Sequence, residues 1–148
     1  MTQVTTATTG NNLLTQIKIG AGTYVDLTGQ YESVDPVDAK VILAEVYTPG
    51  VTTPLLVPGD LSSCKIKINV VFTEGASEAW RLLEAAFVAQ DKVQVKWQPN
   101  GATGGTMESV AGGYVSTMPY STGKGGDSKV LMAAVEITVP GIKAYDPA

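Results

Sequence analysis

The sequence predicts a mainly β protein of the α+β class, a β-sandwich or β-barrel with one flanking α-helix. Three segments carry this prediction. Residues 64–72 and 93–97 alternate apolar and polar side chains, as a strand with one buried face does. Between them, apolar residues recur at helical spacing from Ala79 to Phe87, so the two strands are expected to form one half-exposed sheet that a short helix closes on one side. Residues 129–139 alternate again, with one apolar face formed by Leu131, Ala133, Val135, Ile137 and Val139.

The chain begins with a polar segment rich in threonine. Residues 1–13 are predicted to be a flexible N-terminal arm. The start of the chain has neither the basic residues nor the apolar run of a signal peptide, so none is predicted. Leu14–Ile19 and residues 23–27 form a first strand or hairpin, interrupted by the glycine-containing residues 20–22. A further strand is expected over residues 39–47. One face would carry Val41, Leu43, Glu45 and Tyr47, and the other would carry Ile42, Ala44 and Val46.

A long inter-strand loop is predicted over residues 48–63. It contains Pro49, Pro54 and Pro58, which exclude a helix and disfavour a central strand. Loops of this length in compact domains are usually functional or ordered by a partner. The loop is unusually apolar, and two interpretations follow: it folds back over its own core, or it packs onto a neighbouring subunit.

The C-terminal third is predicted to contain two strands. Residues 107–118 form one strand, in which a glycine pair indicates a bulge or a close backbone approach. It is bounded by the turn-rich segments 99–106 and 121–128. Residues 140–148 begin with Pro-Gly, which ends the last strand, and form a flexible C-terminal tail. The whole chain, residues 1–148, is predicted to be a single domain.

The composition argues against an enzyme. The chain has no histidine, the residue that most often performs general acid–base catalysis and binds transition metals. Its single cysteine, Cys64, shares the apolar face of a predicted strand, so we expect an inert core thiol. No nucleophile, base and orienting group can be named together. We therefore predict no catalytic residues, no cofactor and no metal site.

The charge disfavours a protein that binds nucleic acid tightly. The net charge is −4, from ten Lys and Arg against fourteen Asp and Glu, whereas proteins that clamp nucleic acid carry a basic surface. Four lysines lie on the non-core faces of the strands flanking the helix: Lys65, Lys67, Lys92 and Lys96. Three interpretations stay open for them: a solvent face, a surface toward DNA, or contacts with acids of an adjacent subunit such as Asp35, Asp38 or Asp60. No stretch approaches the roughly 18 apolar residues that a membrane span requires.

Several short stretches follow one another in an order found in one known family. They are residues 21–25 (AGTYV), 58–60 (PGD), 65–72, 85–87 (AAF), 92–97, 113–116 (GYVS) and 130–139. In this order of elements, the chain resembles over residues 14–142 the tail tube, or major tail, proteins of long-tailed, non-contractile bacteriophages. That family is related in fold to the tube proteins of type VI secretion.

The resemblance implies a structural virion protein of the phage tail, assembled in the cytoplasm of the bacterial host. Copies would form hexameric rings that stack into a tube and conduct double-stranded DNA from the capsid to the host cell, with no membrane contact. The implied partners are further copies of the chain and the tape measure, tail terminator and tail tip proteins. The implied ring contacts are the N-terminal arm and the loop 48–63, with the candidate residues Tyr47, Val51, Leu55, Leu56, Val57 and Asp60.

Two other classes of protein stay open. A capsid decoration or head–tail joining protein has the same need for β-rich walls, but it would form trimers or isolated rings instead of tubes. A β-sandwich binding module for carbohydrates or surfaces would need a cluster of aromatic side chains, and the tyrosines here are scattered along the chain. Electron microscopy of the purified protein separates these classes.

Overall fold

The structure is mainly β with a single helix among the residues it describes. It is a computed structural model that describes residues 12–35, 37–120, 126 and 129–147. The predicted N-terminal arm and the turn-rich segment 121–128 lie largely outside these ranges. The elements in chain order are β1 (Leu14–Ile19), β2 (Val25–Asp26), β3 (Tyr31–Val34), β4 (Val41–Val46), β5 (Leu55–Leu61), β6 (Cys64–Val71), α1 (Ala79–Ala89), β7 (Val93–Gln98), β8 (Met107–Glu108), β9 (Tyr114–Thr117) and β10 (Met132–Val139).

Eight of these strands form two antiparallel four-stranded sheets around one core. Sheet 1 has the strand order β2-β1-β7-β8, and sheet 2 has the order β3-β6-β10-β9. The buried faces of both sheets belong to a single apolar cluster, which makes the fold a sandwich. Its fully buried side chains include Ile17, Val93 and Val95 from sheet 1, and Ile66, Ile68, Val70, Val135, Ile137 and Val139 from sheet 2.

The centre of sheet 2 follows the predicted alternation. β6 and β10 pair along all eight residues of each strand, from Cys64 opposite Val139 to Val71 opposite Met132. Every second side chain on each strand is buried, and the residues between them, such as Lys67, face outward. Burying one Val or Ile side chain contributes roughly 1.5–3 kcal/mol. A slip of one residue would expose the whole apolar set, so the core fixes the register.

Helix α1 packs on the sandwich through the predicted apolar stripe. The Trp80 ring meets the ring of Phe72 edge-on at 4.7 Å between centroids, and the ring of Tyr120 at 5.9 Å. Phe87 was expected to belong to the same stripe, but its side chain is 37% exposed. It lies at the rim of the helix face. The buried residues of the helix are Ala79, Trp80, Leu83 and Ala86.

Both ends of the helix are satisfied by local contacts. At its start, the Ala79 N–H donates a hydrogen bond of 2.7 Å to the side-chain carbonyl of Gln30, which precedes β3. This bond satisfies one of the free N–H groups of the first turn. At its end, Gln90 adopts a left-handed conformation with φ of 56°, a common way to terminate a helix.

Three strand predictions differ from the structure. The two strands flanking the helix were expected to form one sheet, but β6 and β7 lie in different sheets, so α1 connects the two layers. Residues 107–118 are not one strand: they form β8 in sheet 1 and β9 in sheet 2, because the glycine pair Gly112–Gly113 interrupts the segment. β3 is absent from the prediction, because a four-residue edge strand is too short to show a period.

Gly113 lies where the two sheets meet. It bridges to Val93, whose N–H donates to the Gly113 carbonyl at 2.8 Å. A Cβ atom at position 113 would lie 2.7 Å from Cγ1 of Val139 and 2.8 Å from the carbonyl oxygen of Val93. The close backbone approach predicted for this glycine pair is therefore present, and it leaves no room for a side chain.

We expect Gly113→Ala to lower the free energy of unfolding by roughly 1–3 kcal/mol, because overpacking forces the backbone at the bridge to shift. Gly141→Ala is the matched control, since the nearest atoms to a Cβ there are 3.8 Å away. Urea unfolding of both variants measures the difference. Equal stability of the two variants would contradict the close approach.

The C-terminal tail, predicted as a flexible arm over residues 140–148, is instead paired with sheet 1 where the structure describes it. Thr106 and Asp146 exchange two backbone hydrogen bonds of 2.7 and 3.0 Å. The Lys143 ammonium lies 3.3 Å from a carboxylate oxygen of Glu108. The tail therefore covers the outer edge of β8, an edge that would otherwise be open to other strands.

Candidate assembly surface

β4 and β5 form a two-stranded antiparallel hairpin that pairs with neither sheet. Its register runs from Val41 opposite Leu61 to Val46 opposite Leu55. Every residue of both strands is exposed. A hairpin of two strands is at best marginally stable in water without further packing. We therefore expect another surface to cover it.

Both faces of this hairpin are apolar. Leu43 lies opposite Pro58 on one face, and Ala44 lies opposite Val57 on the other. An exposed apolar surface of this extent marks an interaction site on a folded domain. Ten large apolar side chains are between 44% and 68% exposed: Val41, Ile42, Leu43, Val46, Tyr47, Val51, Leu55, Leu56, Val57 and Leu61.

The hairpin and the turn that joins its strands contain the six residues singled out from the sequence. Leu55, Leu56, Val57 and Asp60 belong to β5, and Tyr47 and Val51 lie in the connection between β4 and β5. The loop predicted for residues 48–63 is wrong, because Leu55–Leu61 is a strand. A proline is tolerated in β5 because it is an edge strand of a two-stranded sheet with a register shift. The role of the six residues in ring contacts stays a prediction.

The contribution of β4 to this surface was not predicted from the sequence. Residues 39–47 were expected to be a strand, as they are, but nothing marked them as uncovered. The available signal is that both alternating sets between Val41 and Val46 are apolar apart from Glu45. A strand with one buried and one solvent-exposed face would instead alternate apolar and polar side chains. Val41, Ile42, Leu43 and Val46 are all at least 45% exposed.

The four lysines near the helix lie on two separate surfaces. Lys65 and Lys67 belong to β6 in sheet 2, and Lys67 lies directly opposite Glu136 on β10. Lys92 precedes β7 and Lys96 lies on β7, both in the region of sheet 1. They therefore do not combine into one basic surface.

A polar cluster lies on sheet 1 around Glu108. The hydroxyl of Tyr24 and the amide of Gln94 both donate to one oxygen of the Glu108 carboxylate, the amide at 3.1 Å. The Lys96 ammonium lies 4.3 Å from the centre of the Tyr24 ring, a cation–π contact. Burial by itself would raise the pKa of Glu108. The hydrogen bonds from Tyr24 and Lys143 and the adjacent positive charges outweigh burial and lower that pKa.

We expect the protein to lose stability in acid when the Glu108 carboxylate takes up a proton. Because its pKa is lowered in the folded protein, its contribution is complete above the ordinary carboxylate pKa and is lost as the pH falls through the folded value. Glu108→Gln should therefore lower the Tm at about pH 7, and its difference from the parent protein should shrink toward about pH 3. Thermal unfolding across this range measures it, with the exposed Glu74→Gln as control. A difference that does not change with pH would contradict the prediction.

A second exposed surface is a groove between the C-terminal half of α1 and β9, called here the α1–β9 groove. It has a volume of about 360 Å³ and is lined by Ala86, Phe87, Gln90, Tyr114 and Val115. β9 is the outermost strand of sheet 2: Gly113, just before it, bridges to Val93 of β7, but among the described strands Tyr114–Thr117 pairs with β10 alone. The groove combines an open strand edge with partly exposed aromatic rings.

Cys64 is buried, as expected for a core thiol, and burial raises its pKa. Within the described ranges, no three His, Cys, Asp or Glu side chains are grouped so that they could hold a metal ion. No helix in that part of the chain is long and apolar enough to cross a membrane.

The same fold occurs in chains of phage-like tails and injection machines. The chain is similar to one in the baseplate of the anti-feeding prophage (TM-score 0.73, 9% identity, covering 95% of this chain and 96% of that one). It is also similar to a chain in the tail of an empty gene transfer agent particle, with a TM-score of 0.69 and 14% identity, covering 96% of this chain and 99% of that one. A third similar chain is in the extended PVC sheath–tube complex of an extracellular contractile injection system, with a TM-score of 0.63 and 11% identity, covering 90% of this chain and 88% of that one.

These likenesses establish the fold of the chain, and that fold agrees with the one that the sequence resemblance implies. No model of a known protein family matches the sequence, and no curated protein sequence matches it significantly.

Proposed function

We propose that this protein is the structural subunit of a tail tube, in which hexameric rings stack around a channel for double-stranded DNA. The observation that carries the proposal is the uncovered apolar hairpin β4–β5 on a sandwich of this fold. A monomer leaves this surface in water, and self-assembly removes it from water. Burial of apolar surface is the main driving force of association.

Six-fold rings are supported by the symmetry of two similar structures, one described as 6-fold symmetrised and one as having C6 symmetry. Head-to-tail contacts between unlike surfaces close into rings or continue as helical stacks, depending on the rotation between neighbours. A tube requires both kinds of growth. The tube is part of the virion tail of a long-tailed, non-contractile phage, an assignment supported by the sequence resemblance alone.

Passage of DNA is supported by the charge of the chain. The net charge is −4, and the lysines near the helix are divided between two sheets. A channel that neutralised many phosphates would retain DNA through the release of counterions. The tape measure, tail terminator and tail tip proteins complete the tail as partners of the tube, which assembles in the host cytoplasm.

A second candidate is a protein that forms a single ring at one end of a tail. The baseplate chain, with a TM-score of 0.73, favours it. Such a protein would share the fold and the need for contacts between copies, but its growth would stop after one ring.

Negative-stain electron microscopy of the purified protein at low and high concentration tests both candidates. Hollow tubes, or stacked rings with a central pore, are expected for a tube subunit. Isolated rings at every concentration would favour the single-ring candidate. A persistent monomer or a solid trimer would contradict both.

A further inference from the structure

The large exposed apolar side chains of the described residues concentrate in two places. Ten of them belong to the β4–β5 hairpin. Four more lie on α1 or against it: Phe87, Val88, Tyr114 and Tyr120. Phe87 and Tyr114 line the α1–β9 groove. Tyr120 meets Trp80 of α1, which connects the second group to the same helix.

We propose that the hairpin of one copy binds in the α1–β9 groove of a neighbouring copy. The inference rests on the proposed tube function and names the surface that receives the hairpin. The ten hairpin side chains present an apolar area on the order of the ~800 Å² that one partner buries in a standard interface. A second copy of the chain is therefore a sufficient occupant, and each copy supplies both halves of the contact.

The backbone of both surfaces fits this contact as well. Tyr114–Thr117 of β9 pairs only with β10 among the described strands, and each hairpin strand has a single partner, so both surfaces present a strand edge without a partner beyond the bridge at Gly113. Open edges bind additional strands through backbone hydrogen bonds, while pockets take alternate side chains. A hairpin strand laid along β9 places its apolar side chains against Phe87 and Tyr114.

The contact joins two different surfaces, so it has a direction. Each copy gives its hairpin to one neighbour and receives the hairpin of another, as rings and stacks require. A contact between two hairpins would instead join copies in pairs and stop. This difference can be measured with two defective variants.

Mixing a hairpin variant, Leu56→Asp, with a groove variant, Phe87→Asp, tests the proposal. Each variant alone is expected to raise the assembly concentration at least about tenfold, because the contact would bury an unpaired carboxylate. An equimolar mixture is expected to form dimers in sedimentation velocity, since the intact hairpin of one variant fits the intact groove of the other. Val25→Asp, which changes a 40% exposed valine in sheet 1, is the control and should assemble like the parent protein.

Two results would overturn the proposal while leaving the tube function in place. One is normal assembly of folded Phe87→Asp. The other is loss of assembly in both variants with no dimer in the mixture, which would mean that the hairpin and the groove each contact a different surface. A parent protein that stays monomeric at every concentration would instead remove the proposed function, and this inference with it.

Disulfide trapping decides the question if Phe87→Asp does not fold. In a Cys64→Ser background, Leu56→Cys combined with Gln90→Cys is expected to give a ladder of linked chains under oxidising conditions. Leu56→Cys combined with Lys143→Cys on the C-terminal tail is the matched control and should give none. Equal ladders, or none with either pair from assembled protein, would overturn the proposed contact.

Discussion

Replacing residues 42–60 by Asn-Gly is expected to abolish self-assembly and leave the sandwich folded. Val41 and Leu61 are direct partners, and the Ser62 N–H donates to the Lys40 carbonyl at 2.7 Å. The two ends are therefore close enough for a two-residue hairpin turn, for which Asn-Gly is well suited. No residue of the replaced segment is buried, so the core loses nothing.

The expected effects on assembly and on stability differ widely. The free energy of unfolding should stay within about 1 kcal/mol of the parent value, as for changes away from the core. The concentration needed for assembly should rise at least about 100-fold, which requires a loss of only about 3 kcal/mol of contact energy. Thermal unfolding measures the first quantity, and sedimentation with electron microscopy measures the second.

A second variant separates the side chains of the hairpin from its length. It keeps the full hairpin but replaces four apolar side chains by threonine: Leu43, Leu55, Leu56 and Val57. Loss of assembly here as well would assign the contact to apolar side chains, and normal assembly would assign it to backbone pairing. Tubes formed by the Asn-Gly variant would contradict any role of the hairpin.

Ile137→Ala is expected to lower the free energy of unfolding by about 3–4 kcal/mol. Ile137 is fully buried on β10, opposite Ile66 on β6 and Val115 on β9. Truncation removes apolar contacts with both neighbouring strands and leaves a cavity, and Ile→Ala changes of this kind cost about 2–5 kcal/mol. For a chain of this size, the Tm should fall by roughly 10 °C.

Thr138→Ala is the matched control for this change, because Thr138 is the next residue on the same strand and is only partly buried. It should cost no more than about 1 kcal/mol. Chemical denaturation of both variants gives the two values. Similar losses for Ile137→Ala and Thr138→Ala would contradict the one-sided burial of β10.

The most regular elements could be predicted from the sequence. The faces of β6 and β10, the stripe on α1 and the burial of Cys64 agree with the structure, because each depends on a period of 2 or 3.6 residues along a continuous segment. Phe87 departs from its stripe because it lies at the rim of the helix face. The residues of the candidate surface were identified partly, through the unusual apolar content of the segment 48–63.

The sequence by itself determined the buried faces of β6, β7 and β10 and the apolar face of α1, because side-chain direction follows from local backbone geometry. Only the tertiary structure decided that β6 and β7 belong to different sheets, that β4 and β5 stand together as an uncovered hairpin, and that the C-terminal tail covers β8. Each of these facts depends on which strands pair with one another across the whole fold. Such pairings depend on register and on competing edges elsewhere in the fold, which no local pattern of side chains specifies.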